Sequence, residues 1–195
     1  MCIRDSYLTD KEIIKNKDYL SSFIQKDHRK ICSLILGGPT KYYDYSLENI
    51  ENIFFILNNL LKKNNFQLVV IPSMRTPKNT IEHAKKYFGK NHTIIDNVDK
   101  KAYLSALSIS DYIVVTCDST SMISEAAITG KPIYVAQMSA KKNNLKFKKF
   151  FSQFKQLNII KDLTDKIDLW SYDKLDEVNR ISPLINEKIK KNGII

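Results

Sequence analysis

The sequence is poor in cysteine, histidine and glycine, and each scarcity excludes a class of protein. Its three cysteines, Cys2, Cys32 and Cys117, are odd in number and far apart, so neither a disulfide framework nor a zinc site is expected. Its three histidines lie in separate segments without ligand spacing, and we expect no bound metal and no resident cofactor. The five glycines form no P-loop, no Gly-x-Gly-x-x-Gly fingerprint and no Gly-x-Ser-x-Gly elbow of a serine hydrolase.

Long apolar runs are also missing. No run approaches the roughly 20 residues that span a bilayer, and the first residues lack the apolar region of a signal peptide. We therefore expect a cytoplasmic protein, with attachment to the periphery of the inner membrane left open. Residues 1–6 match none of the patterns described below, and a non-native scar is one interpretation of them.

Acidic residues are outnumbered, with 21 Asp and Glu against 31 Lys and Arg and a net charge of +10. The lysines are scattered along predicted helix faces, and no nucleic-acid-binding motif accompanies them, so nucleic acid is not an expected partner. An anionic phosphate ligand or an acidic membrane surface remains compatible with this charge.

What the sequence does contain is a regular alternation of short apolar strands and helices. Strands are predicted at residues 31–36, 66–71, 93–95, 112–115, 133–136 and 159–160. Helices are predicted at about 9–28, from 46, at 77–88 and 100–109, from 119, at 145–157 and at about 173–190, the last bent by Pro183. This alternation predicts an α/β fold with a doubly wound parallel sheet of Rossmann-like type.

Three parts of the chain follow from this pattern. We expect an N-terminal inter-domain segment with a helix at residues 1–29, a Rossmann-like domain at 30–172 and a C-terminal helix at 173–195 that packs back on the domain.

The most informative segment follows the predicted strand at 112–115. One helix cap needs one polar side chain, so a longer row of them indicates contact with a ligand. A strand that feeds a helix exposes free N–H groups at the carboxyl edge of a parallel sheet, and such an edge binds phosphate. The row consists of Asp118, Ser119, Thr120 and Ser121.

Glu125 lies four residues beyond Ser121, on the same helix face. Its neighbours in the sequence are apolar or small, so the helix is expected to be largely buried. A carboxylate in such a place needs a hydrogen-bond donor, and a ribose diol would supply two hydroxyls. The alternative is an ordinary exposed helix glutamate.

Two more strand ends carry candidate residues. The adjacent glycines after the first strand permit close approach of a backbone to a ligand, although they also suit an ordinary turn. Arg75 follows the second strand and offers a planar fork of donors for a phosphate, although a solvated arginine beside plain capping residues is the alternative. The further candidates for nucleotide or phosphate binding are Gly37, Gly38, Thr40, Ser73, Arg75, Thr76 and, in the loop after the fifth strand, Gln137.

The predicted helix at 145–157 is amphipathic. Four phenylalanines, Phe147, Phe150, Phe151 and Phe154, share one face, and lysines surround the other. We favour a helix that packs its aromatic face on the core, while a helix lying on an anionic membrane surface is the alternative.

Taken together, these segments resemble a known family. The strand, the Ser-x-Ser-x-x-x-Glu-Ala helix and Gly-Lys-Pro are similar to the donor half of GT-B-type glycosyltransferases. More narrowly, the chain resembles bacterial relatives of the plant "elongated mitochondria" fission factor, over roughly residues 31–180. The segments that carry this resemblance, in the family's order, are Leu36-Gly37-Gly38-Pro39-Thr40, Ser73-Met74-Arg75-Thr76-Pro77, Thr116 to Ala126, Gly130-Lys131-Pro132 and Trp170-Ser171-Tyr172.

The resemblance implies a function for the chain. It implies a C-terminal, donor-binding domain that holds a nucleotide diphosphate sugar, with Glu125 on the ribose and with metal-independent sugar transfer in the complete protein. An N-terminal acceptor domain would be missing, no catalytic residue is assigned, and the chain alone is expected to be inactive. Two alternatives stay open: a non-catalytic adaptor on a membrane surface, and a nucleotide-sugar epimerase.

Overall fold

A computed structural model describes residues 8–25, 27–175, 182–183 and 186–189 of the chain. Its centre is a single sheet of six parallel strands in the order β3-β2-β1-β4-β5-β6. The predicted α/β class with a doubly wound parallel sheet is therefore confirmed. The strands are Ile31–Leu36 (β1), Gln67–Pro72 (β2), Thr93–Ile94 (β3), Tyr112–Thr116 (β4), Ile133–Ala136 (β5) and Ile160–Asp162 (β6).

Between residues 10 and 156, six α-helices connect and cover these strands. The predicted starts of the second and fifth helices, and both ends of the third, fourth and sixth, agree with the structure to within one or two residues. The helices are Asp10–Lys15 (α1), Leu47–Asn64 (α2), Lys78–Phe88 (α3), Lys100–Ile109 (α4), Thr120–Ala127 (α5) and Leu145–Gln156 (α6).

The core forms because the central strands are almost wholly apolar. β2 and β4 are buried at every residue, as is typical of parallel strands covered on both faces. In the register of the sheet, Leu34 of β1 lies between Val70 of β2 and Val114 of β4. The long helix α2 is capped by Ser46, whose hydroxyl accepts a hydrogen bond from the N–H of Asn49. Its buried face consists of Ile50, Ile53, Phe54, Leu57, Leu60 and Leu61.

The N-terminal helix is much shorter than predicted. The sequence predicts one helix from Thr9 to about His28, whereas α1 ends at Lys15 and a short 3-10 helix follows at Lys17–Ser22. Thr9 does cap α1, as its pattern indicates. The error concerns only where the helix stops.

A contact with α4 explains the break. The hydroxyl of Ser105 accepts a hydrogen bond from the N–H of Leu20 at 3.1 Å and donates one to the carbonyl of Lys17 at 2.9 Å. These two backbone groups are therefore bonded to a side chain of another helix. No local pattern in the sequence reveals such a partner, since it lies 85 residues away.

Within the C-terminal helix predicted at about 173–190, residues 173–175 are not helical, whereas residues 182–183 and 186–189 are. The other residues of this prediction lie outside the described part of the chain. The proposed boundaries of the three parts, 1–29, 30–172 and 173–195, stay predictions. All six strands fall within the middle range.

Replacement of Phe54 by alanine should lower the free energy of unfolding by about 3–5 kcal/mol, because a fully buried aromatic ring leaves a cavity. The side chain is 0% exposed and packs against the rings of Tyr87 and Phe88. The neighbouring Phe55 is 58% exposed and provides a matched control, whose replacement by alanine should change stability by less than about 0.5 kcal/mol. Urea denaturation measures both, and equal losses would contradict the assigned core.

Candidate functional site

The strand order defines one point where the winding direction of the sheet reverses. From β1 the sheet continues outwards through β2 to β3, and from β4 it continues the other way through β5 to β6. In open α/β sheets, ligands bind in the crevice outside the carboxyl ends of the strands at such a point. The predicted loops after β1, β2 and β4 all lie at this edge, because parallel strands end on the same side.

The side chain of Asp118 joins these three loops. It is 0% exposed, and its Oδ2 accepts hydrogen bonds from the N–H of Gly38 and from Arg75 Nη2, both at 2.9 Å. Its Oδ1 accepts the hydroxyl of Thr116 at 2.6 Å. Asp118 was predicted to contact the ligand, whereas the structure shows its carboxylate engaged with three protein donors. Its role in the structure is to position the loops after β1 and β2.

Close contacts with neighbouring atoms explain why both positions after β1 are glycine. A Cβ atom on Gly37 would lie 2.1 Å from Asp118 Oδ2, and one on Gly38 would lie 2.0 Å from the carbonyl oxygen of Arg75. The sequence predicts glycines that admit a ligand, and here they admit Asp118 and the backbone of the next loop. The N–H of Gly37 is itself bonded to Thr116 Oγ1 at 2.8 Å.

The loop after β2 is locked to the loop after β1. The guanidinium of Arg75 donates to the carbonyl of Gly38 at 3.2 Å, and the Thr76 hydroxyl donates to the carbonyl of Gly37 at 2.6 Å. Ser73 accepts a hydrogen bond from the N–H of Arg75 through its hydroxyl. The Arg75 side chain is nevertheless 43% exposed, so part of its charge still faces solvent beside the crevice.

The start of α5 has hydroxyl groups that the fold does not use. Ser119 caps the helix by accepting a hydrogen bond from the N–H of Met122. The next two hydroxyls, of Thr120 and Ser121, are partly exposed and have no hydrogen-bond partner within the part of the chain that the structure describes. The expectation that one side chain suffices for the cap agrees with this arrangement. The free N–H groups of a helix start, with two adjacent hydroxyls, suit an anionic ligand.

Glu125 accepts a hydrogen bond from another side chain of the protein. Its Oε2 accepts the hydroxyl of Tyr103, on α4, at 2.6 Å. Burial raises the pKa of the Glu125 carboxyl, while the hydrogen bond from Tyr103 and the charge of Lys100 act in the opposite direction. Burial and the nearby Glu125 charge also raise the pKa of the Tyr103 hydroxyl well above its ordinary value. The second oxygen, Oε1, makes no hydrogen bond to any residue described by the structure.

Thr40 and Gln137 are not bonded to the Asp118 cluster. The Thr40 hydroxyl accepts from the N–H groups of Tyr42 and Tyr43 at 3.3 Å and stabilises a turn. Gln137 is exposed and donates to Asp162 Oδ1 at 2.9 Å, at the end of β6. Both residues lie at the carboxyl edge of the sheet, but their polar groups are used elsewhere along it.

Three residues of this edge were missed in the sequence. Thr116 could have been noticed, because a hydroxyl at a strand end stands two residues before Asp118. Tyr45, whose hydroxyl donates to the carbonyl of Gly37 at 3.3 Å, and Tyr103 carry no such signal. Each reaches the site through a contact between separate elements.

The aromatic face of α6 packs on the protein interior. Phe150, Phe151 and Phe154 are buried, and the lysines of the helix are exposed. This agrees with the favoured interpretation of a core-facing helix.

Within the described ranges no helix is both long enough and apolar enough to cross a membrane. Nor do the described residues include a group of three or more acidic, histidine or cysteine side chains suited to a metal ion.

Two open clefts lie at the opposite, amino edge of the sheet, away from the predicted site. Their volumes are 530 and 700 Å³, and they share Lys30, Asn64 and Phe66 as lining residues. Lys30 and Phe66 immediately precede β1 and β2, so neither cleft borders the Asp118 cluster. We assign the candidate site by its hydrogen-bonding groups and its place in the sheet rather than by cavity volume.

The chain is similar to one protein family and to curated proteins from a bacterium and a plant. The family model described as "Mitochondrial fission ELM1" matches residues 6–189. An uncharacterized protein from Rickettsia prowazekii (strain Madrid E) is 28% identical over 176 residues, which cover 84% of this chain and 48% of that protein. The mitochondrial fission protein ELM1 of Arabidopsis thaliana is 29% identical over 163 residues, covering 81% of this chain and 38% of the relative. The chain spans less than half the length of these curated relatives.

Among solved structures, a UDP-GlcNAc 2-epimerase from Methanocaldococcus jannaschii, in complex with UDP-GlcNAc and UDP, is similar with a TM-score of 0.57. The two are 14% identical, and the match covers 89% of this chain and 48% of the epimerase chain. At this identity the likeness concerns the fold, which is that of a GT-B Rossmann-like domain. The predicted fold type is thereby confirmed.

Replacement of Asp118 by asparagine should lower the free energy of unfolding by about 1–3 kcal/mol, since the amide NH2 cannot accept from all three donors. The matched control is Asp162→Asn, which alters an exposed carboxylate paired with Lys155 and should cost less than about 1 kcal/mol. Thermal and urea unfolding report both changes. An Asp118→Asn protein as stable as the control would contradict the positioning role.

Proposed function

The chain belongs to the mitochondrial fission ELM1 family, and on this premise we propose that it binds a nucleoside diphosphate, as carried by a nucleotide-sugar donor, at the carboxyl edge between β1 and β4. The observation that carries the proposal is the start of α5. Thr120 and Ser121 present hydroxyls that bond to none of the residues described by the structure, beside the free N–H groups of the helix and at the switch point of the sheet.

Each group at this edge has a distinct part in the proposal. The diphosphate accepts hydrogen bonds from the α5 N–H groups and from Thr120 and Ser121. Arg75, which keeps 43% of its side chain exposed, supplies positive charge from the other side of the crevice. Asp118 touches no ligand and instead holds Arg75 and the glycine loop in place. Glu125 lies one turn further along α5 and accepts a ribose hydroxyl.

In the complete protein, the proposed reaction is metal-independent transfer of a sugar from its nucleotide. The leaving diphosphate gains negative charge as the bond to the sugar breaks. A helix N-terminus and an arginine held by a buried carboxylate are preorganised to stabilise that charge. The similar epimerase, in complex with UDP-GlcNAc and UDP, supports a nucleotide-sugar ligand for this fold. Nucleotide-sugar epimerisation is the alternative reaction for this site. Analysis of the products formed by a full-length relative would distinguish it from sugar transfer.

A second candidate is an adaptor without catalysis, acting at a membrane surface. The family match favours it, because a mitochondrial fission protein is among the relatives. The Asp118 carboxylate also favours it, since it accepts hydrogen bonds from three protein donors and needs no ligand. In that case the exposed lysines of α6 would meet acidic lipid through charge alone, because the aromatic face of α6 is buried.

Calorimetric titration with uridine, guanosine and cytidine diphosphates tests the proposed site. We expect saturable binding of at least one of them. Ser121→Ala should weaken it about 3–10-fold, the equivalent of one net hydrogen bond. Ser152→Ala, which removes an exposed hydroxyl on α6, is the matched control and should leave the affinity unchanged. Absence of saturable heat with all three ligands at millimolar concentration, with folding verified, would favour the adaptor.

The chain alone should bind donor without turnover. An acceptor hydroxyl needs a general base within hydrogen-bond reach. At this edge Asp118 is enclosed by its own donors and Glu125 is bonded to Tyr103. None of the loops that follow β1, β2, β4 and β5 contains a histidine. Transfer from nucleotide sugars by this chain, at the rate of a full-length relative assayed beside it, would overturn this expectation.

A further inference from the structure

We infer that Tyr103 is the positioning residue that aims Glu125 at the ribose and thereby sets the preference of this site for ribonucleotides. The inference rests on the proposed function and deepens it, because it adds a residue of α4 to a site otherwise built from the strand-end loops and α5. The juxtaposition is direct: the Tyr103 hydroxyl donates to Glu125 Oε2 at 2.6 Å.

The two side chains meet close to the carboxyl edge of the sheet. α4 follows β3 and α5 follows β4, so both helices begin at that edge and run back along the sheet. Tyr103 lies at the fourth residue of α4, and Glu125 at the sixth residue of α5. Their hydrogen bond therefore lies about one turn of helix below the crevice, within reach of a ribose whose phosphates sit on the start of α5.

The tyrosine ring is well suited to hold a carboxylate. It is partly buried and packs against both hydrophobic clusters of the protein, including the one formed by Val69, Ile71 and Ala102. A packed ring with two side-chain torsions is a more rigid support than a glutamate with three. With Oε2 held by Tyr103, the oxygen Oε1, which bonds to no residue that the structure describes, has a defined direction in which to accept a hydroxyl.

Tyr103 also favours the charged form that a diol needs. Burial raises the pKa of the Glu125 carboxyl, and the hydrogen bond from Tyr103 is the largest opposing influence, followed by the charge of Lys100. Tyr103 and Lys100 are thus the two titratable groups of α4 that lower the pKa of the Glu125 carboxyl. Lys100 is itself paired with Glu12 of α1 at 2.8 Å, so part of its charge is already neutralised. Loss of the Tyr103 hydroxyl should therefore shift the pKa of Glu125 upwards.

The test is Tyr103→Phe, with dissociation constants for uridine diphosphate and its 2′,3′-dideoxy analogue measured by calorimetry between pH 5 and 8. We expect the variant to bind the ribonucleotide about 3–10-fold more weakly and the dideoxy analogue about equally well. The preference for ribose falls as pH drops through the pKa of Glu125. In the variant this fall should occur at higher pH, which a merely structural role of the tyrosine would not produce.

Tyr19→Phe provides the matched control. Tyr19 also donates to a carboxylate at the start of α4, that of Asp99, at 2.5 Å, but it is not bonded to Glu125. This control should change neither affinity. Glu125→Gln should remove most of the ribose preference together with its pH dependence, and adding Tyr103→Phe to it should have little further effect, because the tyrosine acts through the carboxylate.

The affinities of the two ligands distinguish a failure of the Tyr103 role from a failure of diphosphate binding. Equal weakening of both ligands by Tyr103→Phe would overturn the inference, since the tyrosine would then support the fold alone. Equal affinity of the wild-type protein for both ligands would overturn it as well, while diphosphate binding stood. No binding of either ligand would instead refute the proposed function, and the inference with it.

Discussion

One buried carboxylate holds the carboxyl edge of this sheet together. Asp118 receives an N–H from the loop after β1, a guanidinium from the loop after β2 and a hydroxyl from the end of β4. Since a buried charge is tolerated only when its oxygens are paired, the positions of the three loops depend on one another. The adjacent glycines follow from the same constraint, because no Cβ atom fits between their backbone and this carboxylate or its arginine partner.

This constraint divides the edge into an inner frame and an outer surface. In the frame, formed by Gly37, Gly38, Thr116 and Asp118, polar groups are bonded within the protein. On the surface, the hydroxyls at the start of α5 and one oxygen of Glu125 keep unused hydrogen-bonding capacity among the residues that the structure describes. A rigid frame beneath a polar surface serves a donor-binding domain, and the same frame serves a scaffold in a fission-protein family.

Much of the fold could be predicted because its signals are local. Apolar runs mark β1, β2 and β4, Ser46 and Ser119 mark helix starts, and their structural bounds differ from the predicted ones by a residue or so. The prediction failed at the N-terminus, where Ser105 of α4 takes hydrogen bonds that would have continued α1. A helix ends where a distant partner binds its backbone, and such a partner leaves no trace in the local pattern.

For the candidate site, the sequence by itself determined which residues would gather at one edge, since parallel strands end together and polar residues follow three of them. Only the tertiary structure decided what each residue does there. It bonded the Asp118 carboxylate to three protein donors, supplied Glu125 with a tyrosine from another helix and left Thr120 and Ser121 without partners in the described chain. The reason is physical: a residue's type sets which bonds it can make, whereas the packing of separate elements decides which partner is within 3 Å of it.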